Sequence, residues 1–138
     1  MGSEILNAMM ISASGMRTQG TRIRVISENV ANANTTGDTP GADPYRRQTI
    51  SFKNEMDKNL GVDRVEVNEI EEDFETPFHL RYDPSHPAAN EEGYVKMPNM
   101  NAMVEMMDVR EAQRSYGANL GMIQQSREIM QRTIDLLR

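Results

Sequence analysis

The sequence predicts a mainly α-helical chain: two long terminal helices with heptad-type stripes and a small β-rich central insertion. Near both ends apolar residues recur every seven positions, whereas the middle of the chain is polar and rich in turn residues. The apolar content of 38% is also below the roughly 45–50% that is usual for a globular domain. A strict seven-residue repeat keeps a narrow apolar stripe on one side of a supercoiled helix. Two such stripes cannot enclose much core alone, so we expect a coiled coil that neighbouring subunits complete.

The N-terminal segment, residues 1–36, is predicted to be a helix that begins after Ser3. Residues that favour turns then accumulate from Asn29 to Gly37, so the helix is expected to end between Val30 and Asn34. Gly15 and Gly20 lie inside the helical pattern at a cost of about 1 kcal/mol each relative to alanine. We interpret them as points of close helix approach, and the alternatives are a bend or an unfolded free state.

The central segment, residues 37–98, is predicted to contain four short strands because its apolar residues alternate. The predicted strands are Tyr45–Phe52, Val62–Ile70, Phe78–Tyr82 and Tyr94–Met97. This segment holds seven basic and fourteen acidic residues, 7 − 14 = −7, so it accounts for the whole acidic balance of the chain. Nucleic-acid binding requires a basic face. That function is therefore not expected.

The C-terminal segment, residues 99–138, is predicted to be one uninterrupted helix. Asn99 or Asn101 suits the N-cap, and Glu105 in the first turns suits the positive end of the helix dipole. Basic residues in the last turns suit the opposite end.

The sequence contains few residues that could support catalysis or bind a metal or cofactor. The chain has no cysteine and only two histidines, His79 and His86, whereas a zinc site requires three or four ligands. No strand precedes Gly15, and no Gly-Lys-Ser/Thr follows it, so a phosphate-binding loop is not indicated. No stretch approaches the roughly 20 apolar residues of a membrane-spanning helix. We expect no catalysis, no metal or cofactor, and no membrane span.

The stripes themselves are the candidate site. We predict that they form the subunit interface, and we call their residues the interface set. The interface set consists of Ile5, Met9, Met16, Ile23, Ile26, Val30, Val109, Tyr116, Leu120, Ile123, Met130, Ile134 and Leu137.

Several strings resemble the family of bacterial flagellar basal-body rod and hook proteins, and are closest to its proximal-rod members. In the first helix these are the run Ser14, Gly15, Met16 and the helix end Asn29, Ala31, Asn32. In the rest of the chain the matching residues are Pro44, Tyr45, Arg46, Asp83, Pro84, His86, Pro87, Gly93, Tyr94, Val95, Pro98, Asn99, Ser115, Tyr116 and Asn119. The match extends over nearly the whole chain with the motifs in order.

This resemblance implies a structural subunit of the proximal rod, located in the periplasm. It implies a helical tube, built from the terminal helices, that transmits motor torque. The implied partners are copies of the chain, other rod proteins, the inner-membrane ring, rod-base adaptor proteins and the flagellar type III export apparatus. Export by that apparatus agrees with an N-terminus that lacks the pattern of a cleaved signal peptide. A self-contained coiled-coil adaptor or export chaperone is the alternative, and a peptidoglycan-cleaving enzyme has no candidate carboxylate pair.

Overall fold

The computed structural model describes residues 2–138 and confirms the predicted fold class. Helix α1 spans Gly2–Ala31, and helix α2 spans Ala102–Leu136. Between them lie the strands β1 (Gln48–Asp57), β2 (Val62–Glu72), β3 (His79–Tyr82) and β4 (Tyr94–Met97). Met1, the first residue of the predicted N-terminal segment, lies outside the described residues.

Asparagine side chains mark the end of α1 and the beginning of α2. At the end of α1, Asn32 donates from Nδ2 to the carbonyl oxygen of Glu28 at 2.9 Å. At the beginning of α2, Asn101 Oδ1 accepts the backbone N–H of Met103 at 2.9 Å. Asn101 is therefore the N-cap, because it satisfies an N–H that the first turn leaves without an intrahelical partner.

The strands form two separate two-stranded sheets. Strands β1 and β2 pair across the short turn that Gly61 closes with a φ of +65°. Strands β3 and β4 are antiparallel, with register from His79 opposite Met97 to Tyr82 opposite Tyr94.

The predicted bounds of the first strand were wrong. The strand begins at Gln48 rather than Tyr45 and continues to Asp57 rather than Phe52. Backbone groups before Gln48 bond elsewhere: Tyr45 N–H donates to the carbonyl of Thr35, and Arg47 N–H donates to the Asn99 side chain. The prediction for β4 was correct at both ends.

Cα packing divides the chain into two compact units. The first unit contains α1 as far as Ile23, the hairpin residues Ser51–Glu69, and α2 from Arg110 onward. Its buried residues include several small side chains on the two helices, namely Ser12, Thr18, Ala112 and Ser126.

The second unit contains Arg24–Ile50 and Ile70–Val109. Its buried apolar residues are Val25, Ile26, Ala88 and Val95, and Val95 has no exposed surface at all. Buried polar residues accompany this apolar core, namely Asn29, Asn99 and Glu105.

Candidate assembly site

The interface set is only partly covered in the single chain. On α1, Ile5, Met9, Met16, Ile23 and Val30 are half-buried, whereas Ile26 is only 5% exposed and already lies in the core of the second unit. On α2 and just beyond it the set divides in two. Half-buried members are Val109, Ile123 and Met130, and exposed members are Tyr116, Leu120, Ile134 and Leu137.

The most deeply buried row of α2 contains no large apolar side chain. It consists of Glu105, Ala112, Asn119 and Ser126, which recur every seven residues, and we call it the inner row. In the first unit, Asn119 of this row approaches Gly15 of α1 closely. A Cβ atom at Gly15 would lie 2.9 Å from Asn119 Nδ2 and 3.0 Å from its Oδ1. The interpretation of Gly15 as a point of close helix approach is therefore confirmed, because a Cβ atom there would force the Asn119 amide to move.

Nothing comparable surrounds Gly20, Gly117 or Gly121, where a Cβ atom would meet no atom within 4 Å among the described residues.

Asn29, near the end of α1, lies at the centre of a buried polar cluster in the second unit. Its side chain is 1% exposed and makes four hydrogen bonds. Oδ1 accepts the hydroxyl of Tyr45 at 3.0 Å and the N–H of Gln48 at 2.9 Å. Nδ2 donates to the carbonyl of Gln48 at 2.8 Å and to Glu105 Oε2 at 3.1 Å. This uses the full capacity of the amide, two donors and two acceptor lone pairs.

Glu105 in the first turns of α2 is the charged member of the polar cluster. It is 1% exposed, and its Oε1 accepts a hydrogen bond from Nε of Arg47 in an ion pair. The backbone N–H of Arg47 donates to Asn99 Oδ1 at 2.8 Å. Asn99 Nδ2 in turn donates to the carbonyls of Asp73 at 2.9 Å and Thr76 at 3.0 Å. The cluster thus connects the end of α1, the chain before β1, the chain after β2, and the start of α2.

Burial affects the titration of Tyr45. Its pKa is raised above 10.0, first because burial disfavours the phenolate and then because of the negative charges of Glu28, Glu105 and Glu72.

The turn after β2 is held by Asp73, whose carboxylate accepts the N–H of Glu75, the N–H of Thr76 and the hydroxyl of Thr76. The bonds from Thr76 are the main reason that the pKa of Asp73 lies below its usual value. Beside this turn, the guanidinium of Arg46 lies 4.4 Å from the ring centre of Phe74 and 4.3 Å from that of Phe78. These are cation–π contacts with both rings.

The turn between β3 and β4 explains several residues of the family motif. Gly93 has a φ of +85°, and a Cβ atom there would lie 2.9 Å from the ring of Tyr82. The side chain of Asn90 accepts the N–H groups of Glu92 and Tyr94. His86 accepts the N–H of Ala88 through Nδ1, as expected of a turn residue. These residues therefore shape the backbone.

Sequence reasoning missed the polar cluster in part. It selected Asn29, Tyr45 and Asn99 through the family motif, but it assigned Glu105 only to the helix dipole and gave Arg47 no role. The spacing of residues could have indicated that Glu105 is buried, because it lies seven residues before Ala112 and therefore belongs to the inner row.

Among residues 2–138, no group of three or more histidine, aspartate or glutamate side chains is placed to hold a metal ion. Over the same residues, no helix is long and apolar enough to cross a lipid bilayer.

Comparison with known families assigns both ends of the chain to one class of protein. The family described as "Flagella basal body rod protein" matches residues 9–37, which include most of α1. The family described as "Flagellar basal body rod FlgEFG protein C-terminal" matches residues 91–136, which include β4 and α2. The class is that of structural rod subunits of the flagellar basal body.

Curated relatives define the branch within this class. The flagellar basal-body rod protein FlgC of Agrobacterium fabrum is 53% identical over 131 residues, 95% of this chain and 94% of the relative. FlgC of Aquifex aeolicus is 40% identical and FlgC of Borreliella burgdorferi 34% identical, each over 96% of this chain and at least 96% of the relative. The chain belongs to the FlgC family of flagellar basal-body rod proteins. It is thus a structural subunit of the basal body, and the self-contained adaptor is not favoured.

Proposed function

We propose that the chain builds the rod by burying the interface set of its terminal helices against neighbouring subunits. The observation that carries this proposal is the amount of large apolar surface left open on and just after α2, where Leu120, Ile134 and Leu137 are exposed. Large apolar side chains left exposed at this many positions of one helix favour a role in protein–protein contact. The two regions matched by rod families are also the regions that contain the two helices.

The three predicted segments then have different roles. Residues 1–36 and 99–138 supply the axial helices, and residues 37–98 form the outward insertion. The polar cluster supports this arrangement because it bonds the insertion to the end of α1 and the start of α2 within the second unit. Load applied to the insertion is carried into the helices through these bonds, as torque transmission requires.

The neighbours in this proposal are copies of the chain and other rod proteins. The inner-membrane ring and rod-base adaptor proteins contact the proximal end of the rod, and the flagellar type III apparatus exports the chain to the periplasm. Family membership supports these partners and this location. No enzymatic step is part of the proposal, since the chain acts through its contacts.

Charge substitutions on α2 test the interface. Ile123→Asp and Leu120→Asp should allow synthesis and export but abolish rod assembly and swimming. A carboxylate buried against a neighbour without a partner costs several kcal/mol in every subunit. Gln124→Asp introduces the same charge at an exposed position of the same helix, and Glu72→Lys changes an exposed charge of the insertion. Both controls should swim, because exposed substitutions are usually worth less than about 0.5 kcal/mol.

The measurements are swim-ring diameter, the amount of exported protein, and the chain content of purified basal bodies. Ile123 is half-buried in its own chain, so its aspartate variant could also disturb folding. Leu120 is exposed, so a defect of Leu120→Asp indicates failed assembly rather than failed folding. Normal swimming of both aspartate variants would exclude the stripe as the interface. Loss of export would place the defect in secretion.

A further inference from the structure

Strand β1 has one edge that the fold leaves open. Among residues 2–138, β1 pairs with β2 and with no other strand. The outer edge of β2 contacts α1 within the first unit, because Val65 N–H donates to Ser14 Oγ at 3.4 Å. In β1, by contrast, every residue from Ser51 to Met56 is exposed. An exposed strand edge presents backbone N–H and C=O groups that can pair with a further strand.

The sequence along this open edge is self-complementary. Suppose that β1 of two copies lies antiparallel with Asn54 opposite Asn54, so that every other residue faces the one equally far beyond Asn54. Phe52 then lies opposite Met56 of the second copy, and Lys53 lies opposite Glu55 of the second copy. Directly opposed pairs of opposite charge, or of an aromatic ring and an apolar side chain, stabilise an antiparallel sheet.

The side chains that would meet are accessible in the single chain. Phe52 is 38% and Met56 61% exposed. The side chains of Lys53 and Glu55 are 47% and 55% exposed and form an ion pair of 3.2 Å within the strand. In the paired arrangement each ammonium group would have one carboxylate along its own strand and a second one across the contact. The existing ion pair is therefore extended rather than broken.

Charge also selects the register and the occupant. Moving the centre of the contact from Asn54 to Lys53 would place Lys53 opposite Lys53, and moving it to Glu55 would place Glu55 opposite Glu55. Like charges that lie directly opposite destabilise a sheet. Charged residues on a strand edge thus oppose pairing with most strands. A second copy of this chain, in the register centred on Asn54, satisfies both charges at once.

We propose that β1 of the unassembled chain pairs antiparallel with β1 of a second copy, with Asn54 opposite Asn54. Two sheets of two strands then become one sheet of four, with the order β2, β1, β1, β2. A sheet of two strands is marginal by itself, and additional strands with an apolar row on one face stabilise it. That row contains Phe52 and Met56 of both copies.

This contact is isologous, so it closes after two copies. A rod grows through contacts that repeat in one direction, whereas a twofold axis turns the second copy around. The dimer is therefore a state of the chain outside the rod, and this inference goes beyond the proposed function.

Exchanging the charges tests the contact. The full chain is purified with Leu120→Asp, which keeps the interface set from associating, and its mass is measured by light scattering over a dilution series. We expect twice the chain mass of 15.6 kDa. Lys53→Glu or Glu55→Lys alone places like charges opposite each other twice, and each should raise the dissociation constant at least about tenfold. An equal mixture of these two variants should dimerise again, because every charge then faces its opposite.

The mixture separates a lost contact from a lost fold, since a misfolded variant does not recover when it is mixed with another. Lys58→Glu is the matched control, because it makes the same charge change at an exposed position just beyond β1. It should leave the dissociation constant unchanged. A chain that stays monomeric throughout the series, or a mixture that dimerises no better than its two components, would overturn the proposal.

Cysteine variants test the register, since the sequence contains no cysteine. Directly opposed residues have Cα atoms about 4.5–5.5 Å apart, which a disulfide can bridge. Asn54→Cys should therefore give a linked dimer when copper–phenanthroline in air oxidises the two thiols. Met56→Cys lies on the same face but about 14 Å from its counterpart, and it should stay unlinked. Equal linking of the two variants would overturn the register.

Purified basal bodies provide the last comparison. Oxidised basal bodies from Asn54→Cys cells should contain no linked dimer of this chain, because copies in a rod are not related by the twofold axis of the proposed dimer. A linked dimer within the rod would overturn the assignment to the unassembled chain. The outcome is independent of the proposed function, which fails only if the aspartate variants at Leu120 and Ile123 swim normally.

Discussion

Replacing Asn29 with alanine should destabilise the second unit far more than its position near a helix end suggests. The substitution removes four hydrogen bonds from a side chain that is 1% exposed. It leaves the N–H and carbonyl of Gln48, the hydroxyl of Tyr45 and one oxygen of Glu105 without these partners. A buried polar group that loses its partner costs about 1–3 kcal/mol.

Counting only the two backbone groups of Gln48, the free energy of unfolding should fall by about 2–6 kcal/mol. Water that enters the vacated space can bond to these groups, so we expect a value in the lower half of that range. This is a large part of the roughly 5–15 kcal/mol that stabilises an ordinary domain. Asn34→Ala changes an exposed asparagine in the turn just after α1. It should cost less than about 0.5 kcal/mol.

Urea unfolding measured by tyrosine fluorescence suits this test, since the chain has no tryptophan and three of its four tyrosines, Tyr45, Tyr82 and Tyr94, lie in the second unit. With a slope of about 1–3 kcal/mol per molar urea, a loss of about 3 kcal/mol lowers the midpoint by about 1–3 M. Amide exchange at Gln48 should become faster in parallel. An unfolding midpoint for Asn29→Ala equal to that of Asn34→Ala would refute the reasoning.

Asn29→Asp adds a pH signature to the same site. The new carboxylate would keep both acceptor functions but would face Glu105 Oε2 where the amide now donates at 3.1 Å. Two adjacent carboxylates raise the pKa of the pair above the unfolded value. The folded state then binds more protons than the unfolded state, so the destabilisation should grow as pH rises through the unfolded pKa and diminish on acidification. A constant difference from the wild type between pH 4 and 7, roughly the span from the ordinary carboxyl pKa to neutrality, would contradict this.

Two further predictions concern the helix packing and the tyrosine. Gly20→Ala should raise the free energy of unfolding by up to about 1 kcal/mol, because alanine has the higher helix propensity. Gly15→Ala should lower it, because its Cβ would displace the Asn119 amide. Thermal melting followed by circular dichroism measures both variants, and equal shifts of the two melting curves would contradict the close approach. Because the pKa of Tyr45 is higher in the folded than in the unfolded chain, the neutral hydroxyl stabilises the fold. This contribution is fully present below pH 10.0 and is lost as the pH rises through the folded pKa. Tyr45→Phe should therefore remove a phenolate step above pH 10.0 from the ultraviolet titration of the folded chain, and an unchanged titration would show that another tyrosine is responsible.

Local patterns were sufficient for the two helices and for strand β4. The two helices and strand β4 follow from residue period and turn chemistry, which act over a few neighbouring positions, whereas the choice of Asn101 over Asn99 as N-cap came from the structure. The start of strand β1 was predicted too early because Tyr45 and Arg47 donate their backbone N–H groups to Thr35 and Asn99 instead of to a neighbouring strand. Asn99 lies 52 residues after Arg47 in the chain. Membership of the rod family was also visible in short strings of sequence.

The interior of the protein was decided by tertiary structure. A search for apolar periodicity finds apolar faces, but the buried row of α2 is made of Glu105, Ala112 and Ser126, which carry little apolar signal. The partners of Glu105, Arg47 and Asn29, are 58 and 76 residues away in the chain, so no local sequence pattern predicts these contacts. A buried charge is tolerated only when the fold brings its partners to it. The apolar stripes were readable from sequence because their repeat is local, while the polar cluster exists only once both helix ends and the insertion have come together.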